Sequence, residues 1–68
     1  MHKLPQILKE LREEKGLTQT QLANHLGYKS PVTVNQWETG KRTPELDNLI
    51  AIAKFFDVTI DYLVGVEK

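Results

Sequence analysis

Residues 17–40 read LTQTQLANHLGYKSPVTVNQWETG, and the fold turns on how this stretch is punctuated. Thr18 and Gln21 stand three apart ahead of an apolar run. That is the Thr-x-x-Gln pattern of a capping box, in which each side chain satisfies the other residue's backbone N–H. The helix so begun carries Leu22, Ala23 and Leu26 on one face, and Gly27 closes it, since glycine takes the left-handed conformation past a helix end without steric cost. A second helix follows, with Ser30 as N-cap and Pro31 in the first turn, and runs to about Thr39 ahead of Gly40. Two short helices around a tight turn are therefore expected, over about 18–26 and about 31–39.

The same punctuation organises the rest of the chain. Pro5, Pro31 and Pro44 each precede an apolar-periodic segment, and Gly16, Gly27, Gly40 and Gly65 each follow one. A first helix is predicted over about 5–15, with Leu4, Ile7, Leu8 and Leu11 in one stripe. A fourth covers about 45–56, with Leu46, Leu49, Ile50, Ala53 and Phe56 as its apolar residues and Thr43 or Glu45 as its cap. A fifth, about 59–64, carries Ile60, Leu63 and Val64. Val32-Thr33-Val34 is too short an alternation to outweigh the helix start before it. The fold class is all-α: five helices in a single domain over residues 1–68.

Composition narrows the function. A chain of 68 residues buries roughly 60% of the surface its unfolded form exposes, so its core is small. It has no cysteine, and His2 and His25 are its only histidines, so neither a disulfide nor a structural metal is expected to staple it. Cysteine absence fits a reducing compartment. The longest apolar run, Leu49–Ala53, is far below the roughly 20 residues of a membrane span, and the N-terminus has no signal-type apolar stretch.

Nine basic and nine acidic side chains give zero net charge, which at first argues against a nucleic-acid partner. The charges are not evenly spread. Residues 1–27 hold four basic and three acidic side chains (+1), residues 28–44 three and one (+2), and residues 45–68 two and five (−3). The chain is neutral but polarised, and its positive part surrounds the third helix.

That helix carries the chemistry. At about 100° per residue, Val34, Trp37 and Glu38 fall on one side, which faces inward. Val32, Gln36 and Thr39 fall on the other, with Asn35 and Thr33 at its flanks. A solvated face usually carries Lys and Glu, and this one carries neither. Asn and Gln amides donate and accept together, as adenine requires in the major groove, and an apolar side chain meets the thymine methyl. Base reading is therefore assigned to Val32, Thr33, Asn35 and Gln36. Phosphate contact is assigned to Gln19, in the first turn of helix two where the dipole favours an anion, and to Lys29, Ser30, Thr39, Lys41 and Arg42 around helix three.

Leu17-Thr18-Gln19, Leu22-Ala23, Leu26-Gly27, Val34, Trp37-Glu38, Gly40-Lys41, Pro44, Leu46 and Leu49 resemble the phage Cro/repressor-type (XRE-like) helix-turn-helix family. Phe55-Phe56-Asp57-Val58 and Asp61-Tyr62-Leu63-Val64-Gly65 are similar to that family's final short helix. The resemblance spans essentially the whole chain. It implies a five-helix lambda-repressor-like domain, sequence-specific binding to double-stranded DNA, usually repression of transcription, and a cytoplasmic, bacterial or phage-encoded protein. It further implies that Gln19 touches phosphate, that Lys41 and Arg42 lie along the DNA backbone, and that Arg12 and Glu38 form a structural ion pair. One departure stands out: seven positions separate Gly27 from Val34, so the turn through Tyr28-Lys29-Ser30 is one residue longer than the common pattern.

Trp37 belongs to the core by its helical phase, and Phe55, Phe56 and Tyr62 are read as core or interface. No nucleophile–base spacing or phosphate-cradling Gly loop is present, so no catalytic residue, cofactor, metal or small-molecule ligand is assigned, and the chain is not read as an enzyme. One domain makes too few contacts for tight specific binding at physiological salt, so a homodimer on a pseudo-palindromic operator is expected. Ile60, Tyr62, Val64 and Val66, an apolar surplus on so short a helix, are its candidate interface. The competing reading is a protein-interaction module of the same fold, an antitoxin or regulatory adaptor.

Overall fold

In the computed structural model, which describes residues 3–66, five α-helices follow one another: α1 (Leu4–Glu14), α2 (Gln19–His25), α3 (Val32–Glu38), α4 (Leu46–Phe56) and α5 (Ile60–Val64). His2 lies outside the described residues. The boundaries agree with the punctuation to within a residue, because the capping chemistry forms as read. Thr18 Oγ1 accepts from Gln21 N–H at 3.0 Å while Gln21 Oε1 accepts from Thr18 N–H at 2.8 Å, completing the capping box of α2. Thr59 caps α5 by accepting from Tyr62 N–H at 3.0 Å. Glu45, not Thr43, is the N-cap of α4.

One local expectation is corrected, and one helix end is closed by a residue the punctuation did not mark. The N-cap of α3 is Pro31, which has no polar side-chain atom to cap with, rather than Ser30; Ser30 Oγ still accepts a long 3.4 Å bond from Val32 N–H, two residues on. Helix α4 is closed without a glycine. Asp57 takes the left-handed conformation (φ 56°), Asp57 N–H bonds to the Lys54 carbonyl, and Val58 N–H reaches back to the Ala53 carbonyl at 3.0 Å. A short polar side chain tolerates this region better than most, so aspartate serves here in the place glycine takes at the other turns.

The core draws on every helix: Leu4 and Leu8, Leu22 and Ala23, Val34 and Trp37, Leu49, Ile52, Ala53 and Phe56, and Leu63. Helix α3 lies against both α1 and α2, and α5 packs on α1 and α4. The chain closes on itself at Gly65, where a Cβ would stand 2.7 Å from Lys3 Cβ, so only glycine lets the two ends meet.

The buried face of α4 is not the whole apolar set read from its sequence, and it includes Ile52, which that set left out. Ile52 is fully buried, whereas Leu46 and Ile50 are 65% and 37% exposed. Counting about 100° per residue from Leu49, Ile52, Phe56 and Ala53 fall within about 60° of it, while Ile50 falls about 100° away. Leu46 lies within that arc, but in the helix's first turn it stays largely exposed. Truncating Ile52 to Ala removes a filled core volume and is expected to cost about 2–5 kcal/mol, against less than about 1 kcal/mol for Leu46→Ala. Urea denaturation of the two variants checks the assignment; equal losses would contradict it.

Candidate nucleic-acid interface

The turn between α2 and α3 decides how α3 is offered to a partner. Gly27 adopts φ 91°, its N–H bonds to the Asn24 carbonyl at 3.1 Å, and Tyr28 N–H bonds to the Ala23 carbonyl at 2.9 Å. These two bonds are the Schellman closure, and they aim Tyr28 back at the protein. Its ring meets Trp37 edge-on at 6.0 Å and its hydroxyl donates to Asn48 Oδ1 at 3.2 Å. The longer turn is thus tied to both α3 and α4. Sequence reading missed Tyr28 and Asn48; an aromatic residue directly after the closing glycine was the available signal.

The other end of α3 is held by charge. Arg12 Nε donates to Glu38 Oε2 at 2.7 Å, Nη2 donates to Glu38 Oε1 at 3.1 Å, and Nη1 donates to the Leu17 carbonyl at 2.6 Å. The side chains are 11% and 3% exposed. The bond to Glu38 raises the Arg12 pKa above its ordinary value, outweighing the burial that lowers it, so the guanidinium stays charged at any working pH. The pair implied by the resemblance is present, and it is bidentate.

Gln19 joins the same group. Its Nε2 donates to Glu38 Oε1 at 3.1 Å and its Oε1 accepts from Asn35 Nδ2 at 3.4 Å. Gln19 was expected on phosphate; its side chain is half-buried and engaged with two residues of α3.

The outer face of α3 is graded. Val32 is 56% exposed, and Asn35 and Thr39 are also exposed, while Thr33 and Gln36 are half-buried. The last two border a polar recess of about 420 Å³ whose far side is formed by Arg42, Thr43, Glu45 and Asn48. Arg42 is drawn there by its backbone, whose N–H bonds to the Gln36 carbonyl at 3.2 Å. Lys29, Ser30, Lys41 and Arg42 are all exposed around this face.

The four residues expected at an interface divide. Ile60 and Val64 are partly buried and packed against the core, because α5 docks on α1 and α4; Tyr62 and Val66 are 40% and 67% exposed. Leu46 and Ile50, one turn apart on α4, are exposed although sequence reading counted them among that helix's periodic apolar residues. His25 packs its ring on Phe55 at 4.9 Å, and among the described residues no group of His, Asp and Glu is arranged to hold a metal ion. No described helix is long and apolar enough to cross a membrane.

A family model described as Helix-turn-helix matches residues 8–63. The chain is 48% identical over 61 residues to the HTH-type transcriptional activator BcrR of Enterococcus faecalis, covering 90% of this chain and 29% of that protein. It is 40% identical to the uncharacterized HTH-type transcriptional regulator YqaE of Bacillus subtilis and 31% identical to the HTH-type transcriptional regulator ImmR of the same species. Each of those alignments covers 90% of this chain, and they cover 52% and 47% of the relatives. The chain therefore spans about half the length, or less, of these curated relatives. No solved structure matches it.

Removing one member of a buried ion pair strands the other. Arg12→Met alone is expected to cost about 3–5 kcal/mol, whereas Arg12→Met with Glu38→Leu is expected to recover much of that loss. Chemical denaturation of the single and double variants measures the difference; an additive double variant would contradict the coupling.

Proposed function

The chain belongs to the Cro/C1-type helix-turn-helix family, and on that footing we propose that it is the DNA-binding part of a transcription regulator that reads a specific site with α3 in the major groove. The carrying observation is the outer face of α3: Val32 and Asn35 stand exposed with no Lys or Glu among them, and exposed Lys29, Lys41 and Arg42 flank them. Base edges are read by the amides of Asn35 and Gln36 and by the apolar or hydroxyl-bearing Val32 and Thr33. Lys29, Ser30, Thr39, Lys41 and Arg42 hold phosphates and set register. Gln19 adds its backbone N–H, at the start of α2, to the phosphate set.

A polarised but neutral domain binds DNA weakly without sequence, so specificity rests on base contacts and on pairing of subunits. The proposed assembly is a two-fold dimer on a pseudo-palindromic operator, with recognition helices about 34 Å apart. Tyr62 and Val66 are the exposed part of its contact, and the remaining open edges of Ile60 and Val64 extend it. The sign of regulation follows from where the operator lies. A site overlapping a promoter is repressed by occlusion, and one placed beside it leaves room for activation, the role named for one relative.

Selection of bound sequences from a random DNA pool tests the reading directly. Gln36→Ala is expected to relax preference at one base pair per half-site, by about 1–3 kcal/mol. Lys41→Ala is expected to weaken specific and nonspecific binding alike and to reduce the salt slope by about one. Unchanged binding in both variants would overturn the docking. Sedimentation is expected to show a dimer on DNA, and monomer alone with and without DNA at high concentration would rule out the two-fold assembly.

A further inference from the structure

We propose that the buried Arg12–Glu38 pair determines which end of the Asn35 amide faces the DNA, with Gln19 as the positioning residue that carries the polarity outward. The proposal rests on the reading of α3 as a base-reading helix. It starts from a constraint of donor and acceptor chemistry. Glu38 is a carboxylate in a bidentate ion pair and has no proton to give. Gln19, 3.1 Å from Glu38 Oε1, can therefore meet it only with its NH2 group. The Gln19 carbonyl is left pointing the other way, toward α3, where Asn35 Nδ2 lies 3.4 Å away.

An acceptor at that point obliges Asn35 to turn its own NH2 group inward. One N–H is used on Gln19, and the carbonyl Oδ1 and the second N–H remain for a partner. An acceptor beside a donor is the complement of adenine in the major groove, with its N6 amino donor and N7 acceptor. The opposite orientation, NH2 outward, would offer donors to the O6 and N7 acceptors of guanine. In water the two orientations of an exposed Asn amide are nearly equal in energy, so a long, exposed hydrogen bond suffices to bias them while adding little to stability. Charge decides the order of the relay at every step: Arg12 donates, Glu38 accepts from both Arg12 and Gln19, Gln19 donates inward and accepts outward, and Asn35 donates inward.

The experiment is selection from a random DNA pool with the full chain and three variants, each checked by thermal melting for an intact fold. Asn35→Ala is expected to erase the preference at one position, which identifies the base pair that Asn35 reads; wild type is expected to favour adenine over guanine there. Gln19→Leu leaves the ion pair intact but ends the relay, and is expected to lower the adenine-to-guanine ratio at that position about fivefold or more. Gln19→Lys offers only donors to both neighbours and is expected to move the preference toward guanine. A mere phosphate or structural role for Gln19 would change binding to all sequences equally and leave that ratio alone. If Asn35→Ala shifts a position whose adenine-to-guanine ratio survives both Gln19 variants, the relay is wrong and base reading by Asn35 stands. If wild type favours guanine there, the polarity is wrong. If Asn35→Ala shifts no position, base reading by Asn35 fails and the relay fails with it.

Discussion

One guanidinium joins three elements of this small protein. Arg12, on the last turn of α1, reaches the Leu17 carbonyl just before the cap of α2 and the Glu38 carboxylate on the last turn of α3. Apolar burial holds helices together without fixing how they are turned, because it is non-directional. Charge-assisted hydrogen bonds from a planar guanidinium fix both distance and direction. The pair is nearly enclosed, so desolvation offsets much of its attraction, and a well-packed apolar substitute could equal its stability. What a substitute could not reproduce is the angular setting of α3 or the acceptor that Glu38 offers to Gln19. Orientation, more than free energy, is what the interaction contributes.

The charge distribution obeys the same economy. The segment around α3 carries +2 from three basic and one acidic residue, and residues 45–68 carry −3 from two and five. The molecule extends 32 × 23 × 20 Å, and the Debye length in physiological salt is about 8 Å. Charges more than that length apart are largely screened from one another, so a DNA backbone at the α3 face would meet mainly the side chains around it, exposed Lys29, Lys41 and Arg42 with Glu45 beside the recess. Neutrality of the whole chain is a poor guide to that encounter. It does limit long-range attraction, which leaves short-range recognition to carry the affinity.

Much of the fold was legible because its signals are local. The Thr18–Gln21 capping box and the closing glycines act within a turn of the residues that announce them, and the helix ends they set agree with the structure. The failures come where a decision is tertiary. Helix α4 carries Leu46, Leu49, Ile50, Ala51, Ile52, Ala53, Phe55 and Phe56, apolar nearly all round, so periodicity could not choose its buried face. Contact with the other helices buried Ile52 and left Ile50 at the flank. For the candidate site, the type and phase of the α3 residues were readable. The engagement of Gln19 was not, since the Glu38 oxygen that attracts it is nineteen residues away in sequence.

Helix α3 is only seven residues long and contains Val32, Thr33, Val34 and Asn35 in succession, three of them β-branched. Such a segment would not be helical alone, because the nucleation cost is not recovered over two turns and these side chains lose rotamer freedom in a helix. Its helicity is therefore imposed from outside. Tyr28, pinned to Trp37 and Asn48, holds the entry; Val34 and Trp37 bury the middle; Arg12 grips the exit through Glu38. The added residue in the preceding turn, which by itself would loosen the entry, is compensated because the lengthened segment carries the aromatic anchor. With helix formation and placement supplied by inward-facing residues, the outward positions need not be good helix formers. They can hold branched, hydroxyl and amide side chains, the set that the proposed base reading calls for, and the composition of α3 is what that freedom permits.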